Sequence, residues 1–152
     1  MSAAEVLRAL IERGQTLALA ESLTGGLLAA TLVDVPGASR AFRGGLVVYA
    51  TDLKHTLAGV PEGLLADRGP VDPDVALALA AGARRACAAD WGLATTGVAG
   101  PDPQGGVPVG TVYVACAGPH AAVRPLRLAG DRAAIRRGAV DAALDLLAGE
   151  LQ

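Results

Sequence analysis

Residues 17–26 read LALAESLTGG, and this stretch decides the fold. Its first four residues are an apolar run with the length of a buried strand, and residues 27–33 (LLAATLV) are apolar enough to form a buried helix. Small polar residues and two glycines occupy the joint between them. The pattern predicts backbone N–H groups and hydroxyls at the carboxyl end of a strand, where open α/β sheets bind ligands. A simpler reading makes Thr24 only a helix cap and Gly25–Gly26 only a tight turn.

The composition predicts one domain that neither spans a membrane nor binds nucleic acid. The chain has 152 residues, enough to bury a core of its own. The 52% of hydrophobic residues include only 3% aromatics, which suits helices packed closely on a sheet. The longest charge-free stretch, residues 104–123, is interrupted by glycines and prolines and does not predict a membrane span. A net charge of −2 leaves no basic surface for duplex nucleic acid.

We expect neither a metal ion nor a cofactor. Cys87 and Cys116 lie far apart among small apolar residues, which favours buried structural thiols over ligands. The two histidines, His55 and His120, do not stand at a spacing typical of metal ligands. Glu5 stands where a signal peptide would be basic and then apolar, so we expect a cytoplasmic protein.

Hydrophobic periodicity and turn residues predict the remaining elements of a mixed α/β domain. We expect helices over residues 3–13, 53–58, 73–89 and 132–149, with one helical turn at 62–66. We expect strands over residues 42–50, 91–98, 107–117 and 121–128, the last two as an antiparallel hairpin. Gly44–Gly45 permit a bulge or a close backbone approach in the first of these strands, and Thr51–Asp52 form a cap pair for the helix that follows it.

The common hydrolase and nucleotide-binding motifs do not match. The chain has no Gly-Lys-Ser/Thr and no GxGxxG after a strand. Ala20 stands where a GxSxG motif has its first glycine, and Gly25 stands where an SxxK motif has its lysine. What remains is Ser22 at the end of one predicted strand, with Tyr49 and Lys54 around the end of another.

These three residues are consistent with a hydrolytic site that needs no metal. A serine is a weak nucleophile until a base takes its proton, and Lys54 suits that role if its pKa falls by roughly two to three units. The predicted helix places Lys54 in its first turn, where the dipole disfavours an ammonium but lowers the pKa by less than about one unit, so desolvation or a nearby arginine (Arg132 or Arg136) has to supply the rest. An exposed lysine is the alternative. Tyr49 could relay the proton, donate to an oxyanion or simply reach solvent, and N–H groups of residues 24–26 could form an oxyanion hole.

Seven motifs in order resemble one family. They are AESLTGG (20–26), PGAS with FRGGLVVYA (36–50), Lys54, LAGVP (57–61), TTGVAGP (95–101), PVGTVYVA (108–115) and GDRAAIR (130–136). Together they resemble the CinA C-terminal domain, the nicotinamide-nucleotide amidohydrolase (NMN deamidase) family, over residues 3–147. The resemblance implies a three-layer α/β/α sandwich with a mixed sheet, a single domain over residues 1–152, and no cofactor. It also implies hydrolysis of the carboxamide of nicotinamide mononucleotide to nicotinate mononucleotide and ammonia, in pyridine-nucleotide recycling.

The resemblance also implies roles for individual residues. Ser22 resembles the family's nucleophile, Lys54 its base and Tyr49 an active-site partner. The expected substrate-binding residues are Glu21, Thr24, Gly25, Gly26, Thr96, Gly97, Arg132 and Arg136. The two arginines suit the nucleotide phosphate by charge and fork geometry, or else form a solvated basic face. We expect a homo-oligomer, most simply a dimer.

Two departures from the family pattern concern the site. Ala50 and Thr51 replace a small hydroxyl residue and an asparagine after the tyrosine, and the loop over residues 100–106 is short. Many relatives carry a further domain ahead of this one, which we do not expect here because the AES motif begins at residue 20. Two alternatives stay open: a nucleotide-binding module without turnover that acts as a sensor or partner, and a serine amidase or esterase for another substrate.

Overall fold

The computed structural model describes residues 2–152, which form six α-helices, one short 3-10 helix (Ala38–Arg40) and five strands. The helices are α1 (Ala3–Arg13), α2 (Leu27–Val33), α3 (Thr51–Thr56), α4 (Glu62–Arg68), α5 (Pro73–Ala86) and α6 (Arg132–Glu150). The strands are β1 (Leu17–Glu21), β2 (Phe42–Val47), β3 (Trp91–Gly97), β4 (Thr111–Ala117) and β5 (Ala121–Arg127). Within residues 2–152, no helix combines the length and the apolar character needed to cross a bilayer.

The five strands form one mixed sheet in the order β2-β1-β3-β4-β5. β2, β1 and β3 are parallel, and β4 and β5 extend the sheet as an antiparallel hairpin, as predicted. Because β1, β2 and β3 are parallel, their carboxyl ends meet at one edge of the sheet. The residues that follow these strands therefore come together, and they include Ser22 and Tyr49.

The side chains of β1 alternate between two apolar cores, one on each face of the sheet. Leu17 and Leu19 belong to the core that includes residues of α1, α2 and α6. Ala18 and Ala20 belong to the core built on α5. Small residues let α5 approach closely, since a Cβ atom added at Gly92 would stand 1.8 Å from the carbonyl oxygen of Ala80 on α5. The predicted α/β/α sandwich is confirmed.

Local sequence signals explain several element ends. Gly14 ends α1 with a left-handed φ of 66°, a conformation that glycine adopts without strain. Asp72 caps α5 by accepting from two backbone N–H groups, and Pro73 is the first helical residue, where its missing N–H has no cost. The predicted bulge is also present, because the pairing of β1 with β2 shifts register between Phe42 and Gly44.

The helix that carries Lys54 begins earlier than predicted. α3 starts at Thr51, with Ala50 as its cap residue and no capping side chain, so the predicted Thr51–Asp52 cap pair is wrong. The preceding strand also ends earlier, at Val47 rather than at residue 50. The carbonyl groups of residues 48 and 49 instead accept hydrogen bonds from Lys54.

Three further boundaries and both cysteines complete the comparison with the sequence. α4 is a seven-residue helix where one turn was predicted, and α5 ends at Ala86 rather than near residue 89. β4 begins at Thr111 rather than at residue 107, because Gly110 turns the chain with a φ of 88°. Cys87 and Cys116 are free thiols, of which only Cys116 is fully buried. Burial, with a smaller contribution from Glu150, raises the pKa of Cys116 to about 11.

Candidate active site

Ser22 follows β1 directly and is held by its neighbour strand β3. Its backbone N–H donates to the carbonyl of Thr95 at 3.2 Å and lies 3.4 Å from the hydroxyl of the same residue. Thr24 shares a 2.8 Å hydrogen bond with that hydroxyl. Ser22 is 6% exposed, whereas Thr24 and Thr95 are fully buried. The serine backbone is therefore fixed by contacts that leave its side-chain oxygen available.

Lys54 of α3 meets this oxygen. Its Nζ lies 2.8 Å from Ser22 Oγ, 2.7 Å from the carbonyl oxygen of Val48 and 3.2 Å from that of Tyr49. The side chain is 1% exposed, and Lys54 is the only lysine among the thirteen basic residues of the chain. No acidic side chain within residues 2–152 forms a salt bridge with it. A buried lysine without a carboxylate partner is costly, which is typical of a functional group.

Burial lowers the pKa of Lys54 from 10.5 to about 8, because the ammonium form loses its hydration. The size of this change agrees with the fall of two to three units that the sequence argument required. Its cause, loss of hydration on burial, is one of the two main causes that the sequence argument allowed, the other being a nearby arginine. Lys54 lies in the last turn of the six-residue α3, not in a first turn, and burial is the cause of the lowered pKa.

The three contacts of Lys54 suit a neutral amine that acts as a base. A neutral amine has two N–H bonds and one lone pair. The carbonyls of Val48 and Tyr49 take the two N–H bonds, which leaves the lone pair directed at Ser22 Oγ. The same geometry serves the ammonium form, which donates to all three oxygens. The proton that Lys54 Nζ and Ser22 Oγ share can thus lie on either atom with little movement of the two side chains.

A cavity of about 120 Å³ opens beside this pair. Its lining includes Ser22, Leu23 and Lys54, together with the end of β3 and the residues after it, from Thr96 to Gly100. Thr96 is fixed there, since its hydroxyl donates to the carbonyl of Pro70 at 2.6 Å. The predicted residues Thr96 and Gly97 thus line the cavity together with the predicted Ser22, Lys54, Tyr49 and Arg132.

The matched family model, the CinA C-terminal domain, covers residues 1–151. The chain belongs to the CinA C-terminal domain family. A "CinA-like protein" of Frankia casuarinae is 58% identical over 143 residues, which are 93% of this chain and 33% of that protein. A "CinA-like protein" of Geobacter sulfurreducens is 51% identical over 146 residues, 93% of this chain and 35% of that protein. The chain thus spans about a third of the length of these curated relatives.

Solved structures of the CinA superfamily share the fold. A "competence-damaged protein (CinA) superfamily protein" from Enterobacter cloacae matches with a TM-score of 0.94 and 30% identity, covering all of this chain and 94% of that one. The "competence/damage inducible protein CihA" from Agrobacterium tumefaciens matches with a TM-score of 0.91 and 32% identity, covering 99% and 96%. The mixed α/β architecture is therefore that of the family.

In this CinA C-terminal domain, Tyr49 and Arg132 lie together at the mouth of the cavity. The Tyr49 side chain is 61% exposed, and its hydroxyl accepts from Arg132 Nη2 at 3.1 Å. Arg132 also donates to the carbonyl of Gly100, another residue that lines the cavity. Tyr49 therefore contacts the site twice, through its backbone carbonyl on Lys54 and through its hydroxyl on Arg132.

Four predicted binding residues instead build the joint behind the cavity. Glu21 is 1% exposed, and its carboxylate accepts from the N–H groups of Gly26, Leu28 and Ala29 at 2.9 to 3.2 Å. Thr24, Gly25 and Gly26 do not line the cavity. The N–H of Gly25 donates to the carbonyl of Ser22, so neither glycine is free to bind an oxyanion as predicted.

Arg136 also lies away from the cavity. Its Nε donates to the carbonyl of Leu23 and its Nη2 to the carbonyl of Thr24, both at 2.9 Å. Arg132 and Arg136 were predicted as one phosphate-binding pair on one face of α6. The structure places Arg132 at the cavity mouth and directs Arg136 into the joint.

Several lining residues were missed by the sequence analysis. Thr51 lies at the start of α3, Pro70 and Val71 lie between α4 and α5, and Asp102 and Gln104 lie on the loop after β3. Pro70 and Val71 have no reactive or charged group that would mark them in the sequence, and their place beside the cavity depends on how the segment between α4 and α5 folds. A strand-end rule would have found Thr51, because β2 ends beside β1 at the same edge of the sheet.

No group of three or more His, Cys, Asp or Glu side chains within residues 2–152 is placed to hold a metal ion. His55, which neighbours Lys54, lies 2.7 Å from the carbonyl of Val60 through Nδ1 and 3.1 Å from Glu62 through Nε2. These contacts connect α3 to α4. His55 therefore connects two helices, and Lys54 remains the candidate base beside Ser22.

Proposed function

We propose that this domain hydrolyses the carboxamide of nicotinamide mononucleotide to nicotinate mononucleotide and ammonia, in the cytoplasm and as part of pyridine-nucleotide recycling. The contact that carries the proposal is the 2.8 Å approach of Lys54 Nζ to Ser22 Oγ in a buried site. A pKa of about 8 keeps an appreciable fraction of Lys54 neutral near physiological pH. Ser22 is then the nucleophile and Lys54 the general base.

The first half of the reaction forms an ester on Ser22. Neutral Lys54 takes the hydroxyl proton as Ser22 Oγ attacks the carboxamide carbon, which gives a tetrahedral intermediate with a negative oxygen. Lys54, now an ammonium, returns the proton to the amide nitrogen as the C–N bond breaks. Ammonia leaves and the acyl group stays on Ser22.

The second half repeats these steps with water. Lys54 takes a proton from a water molecule whose oxygen attacks the ester carbon, and then returns the proton to Ser22 Oγ as the C–O bond breaks. One water is consumed for each carboxylate and ammonia released. A single lysine serves both halves because it lies within hydrogen-bond distance of the serine oxygen, which is first nucleophile and then leaving group.

The size of the cavity supports a substrate that inserts one ring. An apolar cavity of roughly 150 Å³ holds a benzene molecule, and the cavity beside Ser22 is about 120 Å³. A nicotinamide ring fits a space of that order, whereas a whole nucleotide does not. The ribose phosphate would then lie at the mouth, where Arg132 offers a guanidinium for the phosphate and Tyr49 a hydroxyl.

The test is release of ammonia and nicotinate mononucleotide from nicotinamide mononucleotide by the purified protein. We expect turnover by the unmodified chain and by Ser39→Ala, and none by Ser22→Ala. Ser39 is a matched control because it is an exposed serine of the 3-10 helix. Dialysis against a chelator is expected to leave the rate unchanged, because nucleophile and base are both side chains.

Other outcomes identify the alternatives. Binding of the nucleotide without ammonia release would identify a binding module. Hydrolysis confined to other members of a panel of amides and esters, and lost in Ser22→Ala, would identify a different serine hydrolase. A rate restored only by added zinc or manganese would contradict the serine–lysine mechanism.

A further inference from the structure

Arg136 is a partly buried cation whose guanidinium donates hydrogen bonds to two main-chain carbonyls. It is partly buried, its Nε and Nη2 each donate at 2.9 Å to consecutive carbonyls, those of Leu23 and Thr24, and no salt bridge within residues 2–152 includes it. These carbonyls belong to the two residues that follow Ser22. A planar guanidinium fork can hold two such oxygens at once.

Two N–H groups in the same stretch have no hydrogen-bond partner within residues 2–152. They belong to Leu23 and Thr24, while the N–H groups of Ser22, Gly25 and Gly26 are all taken. In a trans peptide the N–H and the C=O point to opposite sides. Because the carbonyl of Leu23 faces Arg136, the N–H of Thr24 points away from Arg136.

Hydrogen bonds connect Arg136 to both of these N–H groups through peptide units. One peptide unit accepts from Arg136 at the Leu23 carbonyl and ends in the N–H of Thr24. A second accepts from Arg136 at the Thr24 carbonyl and ends in the N–H of Gly25, which donates to the carbonyl of Ser22. That carbonyl shares its peptide unit with the N–H of Leu23. Hydrogen bonds in such chains polarise one another, so both terminal N–H groups become stronger donors.

We propose that Arg136 is a positioning residue that orients and polarises an oxyanion donor beside Ser22, the N–H group of Leu23. The inference rests on the proposed serine acylation. The N–H of the residue after a nucleophile is a common oxyanion donor, and here it belongs to Leu23, which lines the cavity beside Ser22. Arg136 thereby stabilises negative charge that develops in the transition state without touching the substrate.

The kinetic test compares neighbouring arginines of α6. Arg136→Met is expected to lower kcat on nicotinamide mononucleotide about 10- to 100-fold with KM nearly unchanged, because loss of one oxyanion donor costs about 100- to 1,000-fold and the N–H of Leu23 is weakened, not removed. Arg136→Lys, which keeps the charge but not the fork, is expected to fall between. The matched control is Arg137→Met, an exposed residue that does not contact the joint and should match the unmodified chain.

A second measurement does not depend on the natural substrate. A fluorophosphonate forms a bond from Ser22 Oγ to phosphorus, with loss of fluoride and transfer of the serine proton to Lys54, and its phosphoryl oxygen takes the oxyanion position. The rate of labelling, followed by intact mass, is expected to fall about 10-fold or more in Arg136→Met and to stay unchanged in Arg137→Met.

The outcomes separate this inference from the proposed function. Turnover or labelling of Arg136→Met at the rate of the unmodified chain overturns the role of Arg136 and leaves the serine–lysine mechanism standing. A rise in KM with kcat unchanged overturns it in favour of direct phosphate binding. Failure of the unmodified chain both to turn over substrate and to label at Ser22 overturns both proposals.

The inference stays testable even if Arg136→Met does not fold. If Arg136→Met is unstable, Arg136→Lys is compared with the unmodified chain by amide NMR. We expect the proton resonances of Leu23 and Thr24 to move upfield as their polarisation is lost. Unchanged resonances at both positions together with a full labelling rate would refute the inference.

Discussion

The two sides of the cavity differ in how their polar groups are used. On the first side, the buried wall, Ser22 and Lys54 are almost fully buried and contact each other, and Glu21 is buried in the joint directly behind them. On the other side, the mouth, Tyr49 and Arg132 are exposed to solvent, and their partners are each other and one carbonyl. The buried wall is suited to chemistry and the mouth to recognition.

The difference follows from what each task requires. A proton transfer needs fixed distances and a lowered pKa, and burial supplies both. Recognition of a charged group needs access from water and donors that can exchange partners. Substitutions in the buried wall should therefore change kcat by large factors, whereas those at the mouth should change KM by smaller ones.

The largest effect is expected from Ser22→Ala. Loss of the nucleophile should lower kcat by at least about 1,000-fold, with the melting temperature within about 4 °C of the unmodified chain, since one hydrogen bond is worth about 1 kcal/mol. Steady-state kinetics and thermal unfolding check both values. Residual activity above a tenth would show that Ser22 is not the nucleophile.

Removal of the base is expected to have the next largest effect. Lys54→Met should lower kcat by about 100- to 10,000-fold, and Lys54→Arg should be equally inactive because an arginine does not deprotonate. In the unmodified chain, kcat/KM should rise about tenfold per pH unit up to about pH 8 and then level off, since only neutral Lys54 takes the serine proton.

The pKa itself can be measured without assignment, because the chain has one lysine. A side-chain NMR titration should give a value near 8. A value above about 10, close to that of a solvated lysine, would remove Lys54 as the base. So would substantial activity in Lys54→Arg.

The same lysine should make stability depend on pH. The pKa of Lys54 is lower in the folded than in the unfolded chain, so the unfolded chain binds more protons between pH 8 and 10.5 and stability rises with pH in that window. Below pH 8 Lys54 is charged in both the folded and the unfolded chain, so the full free-energy cost of burying its ammonium opposes folding. Lys54→Met should therefore be more stable than the unmodified chain there, by up to about 3 kcal/mol, with the advantage shrinking towards pH 10.5. Denaturant unfolding of both proteins at pH 7 and 10.5 measures this difference in the free energy of unfolding.

The buried wall was largely predictable from the sequence because it lies on regular elements. Hydrophobic runs fixed β1 and α2, and the parallel arrangement of β1 and β2 brought Ser22 and Lys54 to one edge. The role of Glu21 was not predictable. Its carboxylate binds N–H groups five to eight residues later, which depends on how α2 turns away from the strand.

The mouth was harder to predict, because it joins distant segments. Arg132 and Arg136 are four residues apart on one helix and look equivalent in sequence. Their contacts separate only in three dimensions, where Arg132 reaches the loop after β3 and Arg136 the loop after β1. Periodicity gives the face of a helix but not the partner that each residue meets.

Arg132→Ala is expected to have an intermediate effect. A charged hydrogen bond to phosphate contributes about 1.5 to 3 kcal/mol, so KM for nicotinamide mononucleotide should rise about 10- to 100-fold while kcat changes little. Nicotinamide riboside, which lacks the phosphate, should show no such dependence on Arg132. A fall in kcat with KM unchanged would place Arg132 in the chemistry and erase the distinction between mouth and buried wall.

The smallest effect is expected from Tyr49→Phe, which separates the two contacts of this residue. The backbone carbonyl that accepts from Lys54 is retained, so the base keeps its orientation and kcat should be unchanged. The lost hydroxyl removes one solvent-exposed hydrogen bond to Arg132, for which a rise in KM of about two- to threefold is expected. Tyr113→Phe is the matched control, since Tyr113 is the other tyrosine and packs against the α5 core. A tenfold fall in kcat confined to Tyr49→Phe would instead give the hydroxyl a part in proton transfer or oxyanion binding, and the mouth would then share in catalysis.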